Sequence, residues 1–160
     1  MIRLLLIGCL LLLSACASQP PLPERTPVLS LPMQLHVQRR AGGQSQDWLL
    51  VIQREGAALR WSMMDPLGIP QARQKLINGQ WQADGLLPPN PQARELFAAL
   101  LFALTSADDV RALYPSAQAM DLTRTLPGHW QIVYQSSEVF SVNMTGQSLS
   151  YRVTPLGVAR

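Results

Sequence analysis

Residues 90–114 read NPQARELFAALLFALTSADDVRALY, the only long stretch of the mature chain with helical periodicity. Asn90 is a favourable N-cap, because its side-chain oxygen can accept a hydrogen bond from a free N–H of the first turn. Pro91 suits the first helical position, where its missing N–H costs nothing. One apolar arc at 3.6-residue spacing holds Leu96, Phe97, Leu100, Leu101 and Leu104. Phe102 falls outside this arc. We expect a helix that packs one face against a sheet.

A second, shorter helix is predicted directly after the first. Ser106 and Asp109 form a Ser-x-x-Asp pattern, which is typical of a capping box. Leu113 ends the apolar pattern, and Pro115 stops the helix. The sequence therefore predicts a break near Thr105, followed by one or two more turns.

The segment before the helix alternates apolar and polar residues, as half-buried strands do. Predicted strands cover Met33–Arg40, Trp48–Arg54, Ala58–Met64 and Ala72–Ile77, with a return strand that opens at Trp81. Asn78 and Gly79 favour a type I′ hairpin, because both residues tolerate positive φ.

After the helix, residues 116–120 are interpreted as a polar connector, and Asp121–Leu126 as a strand. Three alternating runs follow, beginning at Trp130, Phe140 and Leu149, and they predict a meander of antiparallel hairpins. The chain thus has eight or nine antiparallel strands and one helical insertion. A curved sheet wrapped around one helix satisfies this pattern.

The first residues form a targeting segment, residues 1–15. Arg3 provides positive charge, and the apolar run that follows is too short to span a bilayer. The run ends in Leu-Ser-Ala-Cys16, which resembles the lipobox of bacterial lipoproteins, so we expect Cys16 to be lipidated. The alternative is an ordinary secretory signal peptide with a chance cysteine. Ala17 in place of aspartate implies the outer membrane, by resemblance to the enterobacterial sorting rule.

Residues 16–32 are predicted to be the lipidated cysteine and an extended tether, and residues 33–160 a single domain. The tether contains Pro20, Pro21, Pro23, Pro27 and Pro32. Cys9 leaves with the signal peptide and Cys16 carries lipid, so the mature chain has no thiol for catalysis or metal binding. A net charge of +3 is too even for a nucleic-acid surface.

Few polar groups suggest catalysis. His36 and His129 have no partner at metal spacing, and Asp108-Asp109 is best explained as helix-capping support. The sequence contains no Gly-x-Ser-x-Gly elbow and no Gly-rich phosphate loop. We therefore expect a protein that is not an enzyme and that has no metal and no cofactor.

The apolar residues leave two interpretations open. Trp48, Trp61, Met63, Trp81 and Trp130 all lie in predicted strands. They are either plain core or the lining of a cavity for acyl chains, since aromatic and methionine side chains adapt to a flexible ligand.

From Met33 to Val153, the order of elements resembles the LolB and LolA family of lipoprotein carriers. The best local matches are Asp65-Pro66-Leu67-Gly68 and the helix from Glu95 to Tyr114. The chain is more similar still to short LolB-like lipoproteins encoded beside fatty-acid or aryl-polyene synthesis genes.

This resemblance implies a curved, half-open antiparallel β-barrel with an α-helical lid over an apolar cavity. The implied cargo is the acyl chains of a lipoprotein or of a lipid-linked product. The implied cavity residues are Trp48, Trp61, Met63, Trp81, Leu96, Phe97, Leu100, Leu101, Leu104 and Trp130. Leu67, or Ile69 beside it, is the implied membrane-insertion residue, the alternative being a buried turn leucine. Apart from the resemblance, a scaffold lipoprotein that binds a periplasmic protein partner without a cavity stays open.

Overall fold

The structure, a computed structural model, describes residues 19–157. The predicted signal peptide and Cys16 lie outside the described residues. The strands are β1 (Met33–Ala41), β2 (Gln44–Glu55), β3 (Ala58–Met64), β4 (Pro70–Ile77), β5 (Gln80–Ala83), β6 (Gln118–Met120), β7 (Thr123–Leu126), β8 (Trp130–Tyr134), β9 (Phe140–Met144) and β10 (Leu149–Pro155). The helices are α1 (Pro91–Leu104) and α2 (Val110–Leu113). Neither has the length and apolar character that a bilayer-crossing helix needs.

All ten strands belong to one antiparallel sheet in the order β5-β4-β3-β2-β1-β10-β9-β8-β7-β6. Each half is a five-strand meander, and the halves join where β1 pairs with β10, from Leu35 opposite Pro155 to Ala41 opposite Leu149. Between residues 19 and 157 the edges β5 and β6 do not pair, so the sheet stays open. The prediction of a mainly β, half-open antiparallel fold with a helix is confirmed.

The buried face of the sheet follows from the alternation of side chains. Cross-strand pairs such as Leu50 with Met63 and Ile52 with Trp61 point to the same side and are buried. In the second meander, Ile132 lies opposite Val142 on that face. The helix α1 packs against this concave face, so one core lies between sheet and helix.

The helix begins where its sequence predicts. The side chain of Asn90 accepts a hydrogen bond from the N–H of Ala93 at 3.0 Å, and Pro91 occupies the first helical position. The second cap is also present, because the N–H of Asp109 donates to the hydroxyl of Ser106 at 3.0 Å. Asn78 and Gly79 both have positive φ, as a type I′ turn requires.

The placement of Phe102 outside the packed arc is wrong. Every side chain from Leu96 to Ala103 is buried, including Phe102. The ring of Tyr114, just after α2, lies edge-on to Phe102 at 4.9 Å, and Trp130 of β8 lies 6.0 Å away on another side. The chain after α1 therefore covers the side of the helix that periodicity assigns to solvent.

The proline-rich segment lies against the domain. Pro23, Pro27 and Leu29 are buried. The N–H of Glu24 donates to the carbonyl of Leu113 at 3.4 Å. Residues 23–29 are thus part of the folded body, whereas the sequence predicts an extended spacer there.

Candidate functional site

Most residues of the implied cavity form a packed core. Trp61, Phe97 and Trp130 have no solvent exposure. The ring of Trp61 lies 5.4 Å from Phe97 and 5.8 Å from Trp81, so the three rings fill the space between β3, β5 and α1. Leu96, Leu100 and Leu101 are fully buried in the same core.

Three other implied cavity residues, Trp48, Met63 and Leu104, lie near the two ends of α1. Trp48 and Met63 line a recess of about 180 Å³ at the amino end of α1, beside Asn90 and Ala93. Leu104 lies at the other end of the helix. The structure therefore does not gather the implied set around a single cavity.

A larger groove of about 580 Å³ lies at the carboxyl end of α1, and we name it the end groove. Apolar side chains from separate parts of the chain line it: Val28 and Leu29 before β1, Met33 of β1, Ala103 and Leu104 of α1, and Leu122 before β7. Its size falls in the range of small-molecule sites, about 300–1,000 Å³. Of the implied cavity residues, only Leu104 lines it.

The polar centre of the end groove is Arg124 of β7, which is 7% exposed. Its Nη1 atom donates to the carbonyl of Thr105 at 2.7 Å and to that of Phe102 at 2.9 Å. The carbonyl of Ala103 accepts the hydroxyl of Tyr134 at 2.7 Å and lies 3.4 Å from the same Nη1. The last carbonyls of a helix have no intrahelical partner, so these two side chains satisfy α1 at its end.

The guanidinium of Arg124 also stacks between aromatic rings. Its central carbon lies 5.7 Å from the centre of the Phe102 ring and 5.4 Å from that of Tyr134. Burial raises the pKa of the Tyr134 hydroxyl, and the Arg124 cation lowers that pKa by a smaller amount, so the hydroxyl is neutral at pH 7. Tyr134 therefore acts as a neutral donor here.

The charge of Arg124 is only partly compensated. No salt bridge joins it to another residue between 19 and 157. Its Nε atom is buried and has no hydrogen-bond partner in that part of the chain. Asp121, the acidic residue at the rim of the end groove, is exposed. The groove thus combines apolar side chains with a guanidinium whose Nε and Nη2 donate no hydrogen bond to residues 19–157.

Sequence reasoning missed Arg124. The only signal was that it alternates with Thr123 and Thr125 and so shares a face with Leu126, which is buried. An arginine at such a position is normally assigned to solvent, because arginine is almost never fully buried without a partner.

At the opposite end of the sheet, the loop between β3 and β4 exposes Leu67, which is 86% accessible, together with Ile69. The carboxylate of Asp65 accepts hydrogen bonds from the N–H groups of both residues at 2.9 Å. Gly68 has φ of 83°, which a side chain would strain. The turn is held tightly with its leucine outward, so the alternative of a buried turn leucine is wrong.

The histidines lie apart from both features. Nε2 of His36 lies 2.9 Å from Asp47 on the solvent side of β1 and β2, and His129 lies in a turn beside Trp130. Within residues 19–157, no group of three or more His, Cys, Asp or Glu could hold a metal ion. Neither protein-family models nor curated proteins match this chain.

Proposed function

We propose that this protein is a non-enzymatic outer-membrane lipoprotein, anchored through Cys16 on the periplasmic face, that binds or transfers an acylated cargo. The observation that carries the proposal is the end groove, with its largely apolar wall of ligand-site size. An acyl chain needs no catalytic group, because each buried CH₂ contributes about 0.8 kcal/mol. The cargo is a lipoprotein or another lipid-linked product.

Leu67 and Ile69 support the transfer part of the proposal. Both are exposed on a turn whose backbone is fixed by Asp65. An apolar side chain on a rigid turn can enter a bilayer without ordering the loop first, which lowers the entropic cost of insertion. The loop and the end groove lie at opposite ends of α1, since Asn90 contacts Gln71 at the loop end.

The second candidate function is a scaffold lipoprotein that binds a protein partner. The observation that favours it is the complete burial of α1 from Leu96 to Ala103, which leaves little free space between helix and sheet. Met120 and Leu122, exposed at the edge of the sheet, then belong to the partner interface.

Native mass spectrometry of the full mature chain, carrying Cys16→Ser so that it lacks the anchor, separates these functions. A carrier retains acyl species that organic extraction identifies, and it takes up a fluorescent fatty acid. Leu122→Glu, at the end groove, is expected to weaken that uptake, whereas Leu67→Glu at the opposite end leaves it unchanged. A lipid-free mass with no uptake contradicts the carrier and favours the scaffold.

A further inference from the structure

We propose that the end groove prefers acylated amphiphiles whose head group is anionic, a carboxylate or a phosphate, and that Arg124 binds this head. The inference rests on the proposed function, and it adds the head-group chemistry that acyl burial alone does not specify. Its basis is the buried, partly unpaired guanidinium of Arg124, the one cation among the apolar and uncharged polar residues and the single carboxylate, Asp121, that line the described groove.

The guanidinium of Arg124 has N–H groups without a hydrogen-bond partner between residues 19 and 157. Buried donors in native proteins almost always have a partner, and an orphan is expected to bind water, an ion or a ligand. Within residues 19–157 the Nε of Arg124 is such an orphan, and Nη2, which is not among the buried atoms, also donates to no residue. The strongest partners for a guanidinium are carboxylate and phosphate oxygens.

The positive charge of Arg124 also has no carboxylate partner between residues 19 and 157. Nη1 is already used by the carbonyls of Phe102 and Thr105, which carry only the partial negative charge of a helix end. A full positive charge at 7% exposure is costly unless it is paired. An anionic head group provides the missing charge, whereas an alcohol or ester does not.

The residues that line the end groove favour one orientation of a bound amphiphile. Leu29 and Met33 provide apolar contact inside the end groove, and Val28 and Leu122 are exposed where it opens. Asp121 also lies at this rim, where its carboxylate repels an anion held at the mouth. The anionic head group is therefore placed inward at Arg124, and the alkyl chain of the ligand lies along the apolar side of the groove.

Three probes of equal chain length test the proposal: hexadecanoate, hexadecyl phosphate and hexadecanol, each competing with a fluorescent fatty acid on the full mature chain with Cys16→Ser. We expect at least one of the two anions to bind about tenfold tighter than the alcohol, as one charged hydrogen bond provides. The anion that binds more tightly shows whether the preferred head group is a carboxylate or a phosphate.

The outcomes separate this inference from the proposed function. Equal binding of all three probes overturns the head-group selection and leaves acyl binding intact. Failure of all three to bind overturns both. Inorganic phosphate that competes as strongly as hexadecyl phosphate overturns the proposal that the ligand is an amphiphile, because the alkyl chain then contributes nothing to binding.

Substitutions at Arg124 locate the effect. Arg124→Lys keeps a cation and is expected to retain part of the preference, whereas Arg124→Met is expected to abolish it while hexadecanol still binds. Circular dichroism establishes that each variant is folded. A folded Arg124→Met protein that keeps the full anion preference overturns the proposal. If that variant does not fold, the comparison of the three probes on the protein with Arg124 intact decides the question.

Discussion

The Nη1 atom of Arg124 lies 2.7 Å from the carbonyl oxygen of Thr105, and this contact ties β7 to the end of α1. The two residues are 19 positions apart in sequence, and both are buried. A cation at a helix carboxyl terminus also complements the helix dipole. One side chain thus fixes the end of the helix and forms the polar centre of the end groove.

Replacing Arg124 tests that anchoring role. Arg124→Met removes the donors to Phe102 and Thr105 and leaves buried carbonyls unpaired. We expect a loss of about 2–3 kcal/mol in the free energy of unfolding, measured in urea. Arg124→Lys should lose less stability, because the lysine ammonium keeps the positive charge and replaces some of the guanidinium donors.

Arg152 provides the matched control. It is exposed on β10, where its Nη2 donates to the side chain of Gln135 at 3.1 Å. Arg152→Met should change stability by less than about 0.5 kcal/mol. Equal effects at positions 124 and 152 would contradict the anchoring role.

The N-cap of α1 provides a second prediction. Asn90→Ala removes the acceptor for the N–H of Ala93, and we expect a loss of about 1 kcal/mol. Asn90→Asp keeps the acceptor and places a negative charge at the helix amino terminus, so it should retain most of the stability. Thermal unfolding of both variants measures this. An Asn90→Asp protein that is destabilised as much as Asn90→Ala would contradict the capping role.

The start and end of α1 were predictable because their signals are local. Asn90 and Pro91 define the first turn, and the Ser106 and Asp109 pair defines the restart after the break. The burial of Phe102 was not predictable in this way. It depends on Tyr114 and Trp130, which tertiary folding brings to the helix.

A third prediction compares two leucines. Leu100 is fully buried in α1, whereas Leu86 is fully exposed between β5 and α1. Leu100→Asp places a carboxylate in the core and should prevent cooperative folding, because an unpaired buried charge costs several kcal/mol. Leu86→Asp should change the free energy of unfolding by less than about 0.5 kcal/mol. Near-ultraviolet circular dichroism and urea titration distinguish the two, and a cooperative transition in Leu100→Asp would show that the core tolerates the charge.

A fourth prediction concerns pH. Burial tends to raise the pKa of Asp84, but the nearby cations Arg60, Arg73 and Lys75 together hold it below its ordinary value of 3.8. Nε of Arg60 lies 2.8 Å from that carboxylate. A lowered folded-state pKa stabilises the fold above the unfolded pKa, and this contribution is lost as pH falls through the folded pKa.

Asp84→Asn should therefore destabilise the protein by about 1–2 kcal/mol at pH 7, and its difference from the unaltered protein should shrink below about pH 4. Urea unfolding at pH 7, 5 and 3 measures this. Asp108→Asn, at an exposed residue without a salt bridge between residues 19 and 157, is the control. A difference at Asp84 that does not vary with pH would rule out the ion-pair origin.

The last prediction concerns Leu67. Leu67→Asp should leave the free energy of unfolding within about 0.5 kcal/mol, since the side chain is 86% exposed. On the proposed function it should keep fatty-acid uptake but lose binding to lipid vesicles, which flotation measures. Thr145→Asp, in the exposed turn between β9 and β10, is a control for added charge. Unchanged vesicle binding by Leu67→Asp would remove this turn from the transfer step.

Eight or nine strands could be predicted because each shows alternation or a strong turn, and the described residues contain ten. β6 was missed because Gln118, Ala119 and Met120 are all exposed, so no buried face marks the strand. The first residues of β2 were missed for a similar reason, since Gln44–Asp47 are exposed and become extended only by pairing with β1. The end groove could not be predicted, because its walls come from both meanders and from the segment before β1, and the two meanders meet only through the pairing of β1 with β10.

That pairing has a consequence for how the chain folds. Among residues 19–157, β1 is the first strand in the sequence and β10 the last, yet they are hydrogen-bonded neighbours in the middle of the sheet. Until the last residues arrive, β1 presents a bare edge that can join another chain. Such distant pairing also slows folding, because the whole loop must close first. The order of the strands in the sheet therefore leaves the middle of the fold, and not its margin, as the part that is completed last.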